Sequence, residues 1–216
     1  MIVPDRDFYN PTKVAQAIAD NGGAAAIRIA HYVPEPALGG RTLEEFAAAW
    51  GVTPVEAYMR VVKATESEVD SDQQMEDVIV TSMSEDDVRW FVAEPGIMFC
   101  SDGELHGSHP RGAGTFPRIL GRYVREQKVL SLVEAVHRMT GLSAQHLGLK
   151  DRGRIAPGYV ADLLLFDPAV VIDQSTIERP EAPPLGIPSV MTSGEWVVDG
   201  GLPTGKHPGH VLRPQH

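Results

Sequence analysis

Ile97-Met98-Phe99-Cys100-Ser101-Asp102-Gly103 is the stretch that most constrains this chain: a short apolar run that ends abruptly in a carboxylate and a glycine. The run has the length of a buried strand, although periodicity by itself also admits a piece of buried helix. Pro95-Gly96 in front and Gly103 behind are turn signals that favour the strand. A carboxylate at the C-terminal tip of a buried strand occupies the place where α/β barrels keep their catalytic residues. Asp102 is therefore the first candidate for chemistry. The competing reading is an Asx-turn, in which Ser101-Asp102-Gly103 does no more than end the strand.

The bulk of the chain bounds what such a residue could serve. The 216 residues are 43% hydrophobic, enough to bury a core in one large domain or somewhat more. A formal charge of −10 argues against a nucleic-acid-binding surface, which needs a basic patch. Cys100 is the only cysteine, so there is no intramolecular disulfide and no cysteine-based zinc site, and a reducing cytoplasm is the expected setting. No apolar run is long enough to cross a bilayer, and no charged segment is followed by the apolar stretch of a signal peptide.

Taken in order, Asn10-Pro11-Thr12 predicts a helix start, with Val14, Ala17 and Ile18 at helical spacing and Asn21-Gly22-Gly23 as the stop. Ala26 to His31 reads as a strand, with His31 at its end and a rigid loop through Pro34, Pro36, Gly39 and Gly40 beyond it. Thr42 and Glu45 have the spacing of a capping box, opening a helix with Leu43, Phe46, Ala47 and Trp50 on one face. Thr53-Pro54 opens another, with Val55, Tyr58, Met59 and Val62 along its face. Glu66 to Glu76 is acidic and reads as a solvated loop. Val78-Ile79-Val80 is a second buried strand, followed by a short helix with Val88 and Phe91. Two strand-then-helix units in succession predict parallel βα architecture. Glu104 to Pro117 reads as a long loop, and Pro117 to Glu126 and Ser131 to Thr140 as helices, the latter with Leu132, Val133, Val136 and Met139 as its apolar face. From about residue 146 the chain turns to short strands between Gly and Pro: Ala161 to Phe166, Val170 to Ile172, and Glu195 to Gly201, followed by an extended tail from Pro203.

Gly153-Arg154-Ile155-Ala156-Pro157-Gly158-Tyr159-Val160-Ala161-Asp162-Leu163 resembles the C-terminal signature of the amidohydrolase superfamily. Arg28-Ile29-Ala30, Gly40-Arg41-Thr42-Leu43, Ser82-Met83-Ser84-Glu85-Asp86-Asp87-Val88, Ser101-Asp102-Gly103, His109-Pro110-Arg111 and Gly114-Thr115-Phe116-Pro117-Arg118 narrow the resemblance to N-acyl-D-amino-acid deacylases, over about residues 10–213. The resemblance implies an α/β fold: the last strands and helices of a metal-dependent (β/α)8 barrel over residues 1–145, then the C-terminal part of a small β-sandwich over 146–216. A complete barrel takes about 250 residues, so this chain resembles the C-terminal half of such an enzyme.

The resemblance also implies roles. Asp102 matches the family's aspartate beside the metal, which takes a proton from metal-bound water and passes one to the leaving amine. Arg111 matches an arginine that holds the substrate α-carboxylate, which suits a planar two-pronged donor. Ser82 and Met83 match a segment that lines the substrate pocket. The family's zinc implies a metal-activated water that hydrolyses the amide of an N-acyl-D-amino acid. Most of the family's metal ligands lie in the half that is not matched, so Asp102 is the one residue here expected at a metal. The pairs His106/His109 and His207/His210 match no metal motif of the family. The expected partners are the missing N-terminal half or a second copy of the chain. The alternatives are a non-catalytic, self-associating homologue and a different amidohydrolase such as a cyclic amidase. Bland readings stand beside these: Arg111 as a loop brace, Met83 as core, Cys100 as a buried structural thiol, and His31 and His137 as structural or surface residues.

Overall fold

The computed structural model describes residues 9–66, 76–104 and 107–212. Most of the acidic stretch between Glu66 and Glu76, and His106, lie outside the described residues. The chain divides into two compact units, Met1–Ser84 and Glu85–His216.

The first unit contains α1 (Pro11–Asp20), β1 (Ile27–Tyr32), β2 (Arg41–Thr42), α2 (Leu43–Trp50), α3 (Pro54–Glu66) and β3 (Glu76–Val80). Its helix starts follow local chemistry. The Asn10 side chain accepts from the Thr12 and Lys13 N–H groups, and Pro11 fills the first helical position without wasting a donor. The Thr42 hydroxyl accepts from Glu45 N–H while the Glu45 carboxylate accepts from Thr42 N–H at 2.6 Å, closing the expected capping box. Gly51 ends α2 in the left-handed conformation that glycine adopts freely. On α3 the buried residues are Ala57, Tyr58, Val61 and Thr65, so the inward stripe is rotated from the predicted one, and Val55, Met59 and Val62 sit at its margins.

The sheet order is β2-β1-β3 and every pairing is antiparallel, with Ile27 opposite Val80 and Arg28 opposite Thr42. This corrects the expected parallel βα units. Strand and helix alternate in the sequence, but pairing direction depends on how the chain returns. His31 lies within β1, next to a register shift in the β1–β3 ladder. Ile27, Ile29, Leu43, Phe46 and Val14 form the core, and Tyr32, Phe46 and Trp50 meet edge to face at ring separations of 5.3–6.3 Å.

The second unit contains α4 (Glu85–Ala93), α5 (Arg111–Arg118), a π-helical segment (Ile119–Glu126), α6 (Leu132–Met139), α7 (Gly141–His146) and strands β4 (Leu163–Leu165), β5 (Ser189–Thr192), β6 (Glu195–Asp199) and β7 (Leu202–Pro203). The four strands pair antiparallel in sequence order. Both of the last two hairpins turn on two residues at positive φ, Ser193-Gly194 and Gly200-Gly201, the geometry that matches the twist of the flanking strands. Asp162, from the signature stretch, accepts from Ser193 N–H at 2.8 Å and pairs with Arg152, which fixes the first of these turns. The predicted strand at Val170–Ile172 reduces to a single bridge between Ile172 and Leu185.

Three further expectations are corrected. Residues 97–103 form no strand, and Cys100 is exposed rather than buried. An extended run becomes a strand only with a neighbour to bond, and here Phe99 N–H donates instead to the Arg138 carbonyl of α6 at 3.4 Å. The Gly-rich stretch after it folds from Arg111 onward as α5. On α6 the buried residues are Ala135 and Arg138, while Val133 is 80% exposed. Pro117 lies inside α5 and has no N–H to give to the preceding turn, and the π-helical segment follows directly. Gly121 of that segment lies against the chain near Val171; a Cβ there would come within 2.5 Å of the Val171 carbonyl oxygen. Among the described residues no helix is long and apolar enough to cross a membrane.

Two expected outcomes test the first unit. Thr42→Ala removes one side of the capping box and should cost about 1 kcal/mol in a denaturant titration. Burial pushes the Tyr58 phenol up to about 12 from 10.0, with Glu76 adding to the effect. The fold thus favours the neutral phenol. That contribution is complete below the ordinary value near 10 and disappears as pH rises through about 12. Helical signal and tyrosinate absorbance should therefore change together over that window, and Tyr58→Phe should move the helical loss to higher pH.

Candidate active site

Asp102 lies at φ 47°, in the left-handed region that Asp tolerates better than most side chains. The glycine that follows allows an unusually close approach. A Cβ on Gly103 would fall inside van der Waals contact of the Gly112 Cα and only 3.0 Å from its nitrogen, so backbone meets backbone at this point. Gly112 follows Arg111, and the contact sets Asp102 beside Arg111. Their carboxylate and guanidinium pair at 3.1 Å between an Asp102 Oδ and an Arg111 Nη. The side chains are 76% and 44% exposed respectively, so this is a surface pair in contact with water.

Arg111 is the first residue of α5, and its N–H donates to His109 Nδ1 at 3.0 Å. His109 thereby caps a helix start that its neighbour Pro110 cannot cap with a side chain. The N-terminus of a helix and a guanidinium both favour an anion. Next to this corner lies a cavity of ≈ 600 Å³ lined by Gly103, Glu104, His109, Gly112 and Glu181 among others. Asp102 and Arg111 themselves are not among its lining residues; their neighbours Gly103 and Gly112 are. An arginine can hold an anionic group, and a carboxylate beside it can exchange a proton.

Two anchors hold this corner in place. Ser175 donates its hydroxyl to the Pro110 carbonyl at 2.9 Å, and a Cβ on Gly114 would collide with the Ser175 hydroxyl. Arg118 donates twice to one Asp173 carboxylate oxygen, at 2.8 and 3.0 Å. The Gly114–Arg118 stretch thus fastens α5 to residues 173–175. The second anchor is Arg138, fully buried on α6. Its guanidinium donates to the carbonyls of Ile97, Val92 (2.7 Å) and Phe91 (3.4 Å) and stacks on the Phe99 ring at 4.2 Å. Burial lowers its pKa, an effect that Glu134 and Glu94 oppose. It ties the end of α4 to the run that leads into Asp102.

Ser82 and Met83 belong to the first unit, where both are exposed, Met83 at 53%. His137 is exposed on α6, and His207 and His210 lie in the tail. Of the candidate residues, the structure brings Asp102 together with Arg111. Gly103, Gly112, His109 and Arg138 are the supporting residues; Gly103 and His109 lie in the stretches singled out from the sequence, whereas Gly112 and Arg138 do not. The two glycines could have been noticed as partners, since each adjoins a candidate residue.

The model of the Amidohydrolase family matches residues 12–198. The chain belongs to that family. Among curated relatives, a D-aminoacylase of Alcaligenes xylosoxydans xylosoxydans is 40% identical over 181 residues, covering 83% of this chain and 35% of the relative. Among solved structures, an N-acyl-D-glutamate deacylase from Bordetella bronchiseptica, complexed with zinc and a phosphonate mimic of the tetrahedral intermediate, superposes with a TM-score of 0.75 at 34% identity. That match covers 90% of this chain and 39% of the other. A D-aminoacylase crystal structure described as defining a novel subset of amidohydrolases gives 0.76 at 34% identity, covering 96% of this chain and 46% of that one. This amidohydrolase chain therefore spans about a third of the length of the curated relative, and its fold matches D-aminoacylase structures.

Zinc accompanies the Bordetella enzyme, and the residues described here do not fit it by themselves. Asp102 faces a guanidinium, and among the described residues no three His, Cys, Asp or Glu side chains come together. A catalytic zinc takes about three protein ligands and keeps one position open.

The Arg138 anchor yields a measurable expectation. Arg138→Met leaves the carbonyls of Val92 and Ile97 without their donor, a loss on the order of 2–4 kcal/mol. Amide exchange should accelerate first over residues 97–103. Val133→Ala, at an exposed position of the same helix, should stay within about 0.5 kcal/mol of the parent.

Proposed function

We propose that this chain is the C-terminal part of a zinc-dependent N-acyl-D-amino-acid deacylase. It would hydrolyse the amide to a carboxylate and a D-amino acid only when the missing N-terminal part is present. The observation that supports this reading is the ion pair of Asp102 with Arg111, each adjoining a glycine that lines the cavity, in stretches that resemble the deacylases. Arg111 binds the substrate α-carboxylate through parallel hydrogen bonds, helped by the N-terminus of α5. Asp102 accepts a proton from the water that attacks the amide carbonyl and returns it to the amine nitrogen as the C–N bond breaks. Ser82 and Met83 contribute to the substrate-lining surface, with Met83 suited to irregular apolar groups.

In this reading residues 1–145 complete a (β/α)8 barrel and residues 146–216 complete its β-sandwich. The zinc ligands come from the missing part, and the enzyme works in the cytoplasm. Exposed apolar side chains favour a covering partner. Trp90 and Phe91, ring to ring at 5.0 Å on α4, are 60% and 45% exposed, and Val133 is 80% exposed. The same observation supports a second reading, in which two copies cover these surfaces as a non-catalytic assembly module.

Metal content, mass in solution and deacylase activity on one purified sample separate the two. The first reading expects little zinc and negligible activity from the 216-residue chain alone, and zinc-dependent deacylation once an N-terminal deacylase polypeptide is supplied. In that complemented enzyme Asp102→Asn should lower kcat by at least about 100-fold. Zinc-dependent turnover by the pure chain alone would refute the need for a partner. A stable metal-free dimer that never gains activity would favour the second reading.

A further inference from the structure

The two residues given separate tasks above are bonded to each other. Arg111 offers a guanidinium suited to an incoming carboxylate, yet in the structure that guanidinium holds the Asp102 carboxylate at 3.1 Å. The pairing follows from the backbone. The Gly103–Gly112 contact leaves no side chain between the two segments, and the positive φ of Asp102 turns its residue out of the extended path. We propose that Asp102 is the internal competitor of the substrate carboxylate: a ligand enters this corner by taking Asp102's place on Arg111, and that exchange releases the Asp102 carboxylate.

This inference rests on the reading that Arg111 is the carboxylate clamp, and it adds a basis for specificity. An N-acyl amino acid brings its own carboxylate and replaces one ion pair by another, at little net loss. An amide lacking that carboxylate has nothing to exchange and leaves Asp102 tied. The corner thus discriminates by charge twice, once in holding the ligand and once in freeing the acid–base group. The pair is exposed, so the competition is modest. Exposed ion pairs of this kind correspond to about 1.5- to 5-fold in an equilibrium constant. That is weak enough for a substrate to overcome.

The test measures binding of N-acetyl-D-alanine and of its neutral amide to the 216-residue chain by calorimetry, in parent, Asp102→Asn, Arg111→Met and Asp199→Asn forms. Asp199 ends β6, outside the residues that line the cavity, and serves as the control for a general change of charge. Expected are a loss of about 2- to 5-fold in Arg111→Met, a gain of about 2- to 5-fold for the carboxylate in Asp102→Asn, no comparable gain in Asp199→Asn, and no gain for the amide in any form. If Arg111→Met weakens binding but Asp102→Asn gains nothing, or gains only as much as Asp199→Asn, the exchange is overturned while the clamp stands. If Arg111→Met binds as the parent does, or if neither parent nor Asp102→Asn binds the acid, the clamp itself is wrong and the exchange falls with it.

Discussion

A guanidinium buried from solvent holds together the part of the second unit that leads into Asp102. Among the described residues Arg138 is the largest fully buried side chain, and burying a cation is costly unless its donors are satisfied. Here they are satisfied by backbone carbonyls at the end of α4 and in the run before Asp102, with the Phe99 ring against the cation. Those carbonyls depend on Arg138 as much as it depends on them, because the run at 97–101 has no strand to bond to. A strand ladder would have spread this dependence over many bonds. One side chain carries it instead.

That substitution explains which parts of the structure were legible in the sequence. Helix starts could be read because a cap involves residues two or three apart. Asn10, Thr42 with Glu45, and Ser131 all occupy the positions that their types and spacing suggest. Pairing direction and the choice of buried face could not, because both depend on segments far away in sequence. The apolar stripe at Leu132, Val133, Val136 and Met139 looks like the inward side of α6, but the helix turns Arg138 inward to reach the carbonyls 41–47 residues earlier. Nothing local marks that arginine, since arginines are mostly exposed. Similarly, Asp102 could be picked out from its motif, whereas its contact with Arg111 depends on two glycines meeting across a loop.

The family membership and the geometry bear on different levels. The family match extends across most of the chain, and it speaks to ancestry and fold. The Asp102–Arg111 corner speaks to chemistry, and it uses only a handful of residues in one unit. The metal stands apart from both, because the donors that a zinc needs are not gathered among the described side chains. In the proposed deacylase, binding of the substrate carboxylate and activation of water are divided between different lengths of polypeptide, with Arg111 and Asp102 proposed as the clamp and the proton carrier.

The fastening of α5 to residues 173–175 has a consequence for how such proteins can be recombined. Ser175 holds the carbonyl just before Arg111, Asp173 grips Arg118 at the other end of the helix, and Gly114 leaves room for the serine between them. These residues lie about 60 positions apart along the chain but behave as one mechanical part. A chimera that exchanged the carboxyl-terminal segment of this chain for that of a relative would therefore shift the arginine it never touched, unless both halves of the fastening were transplanted together.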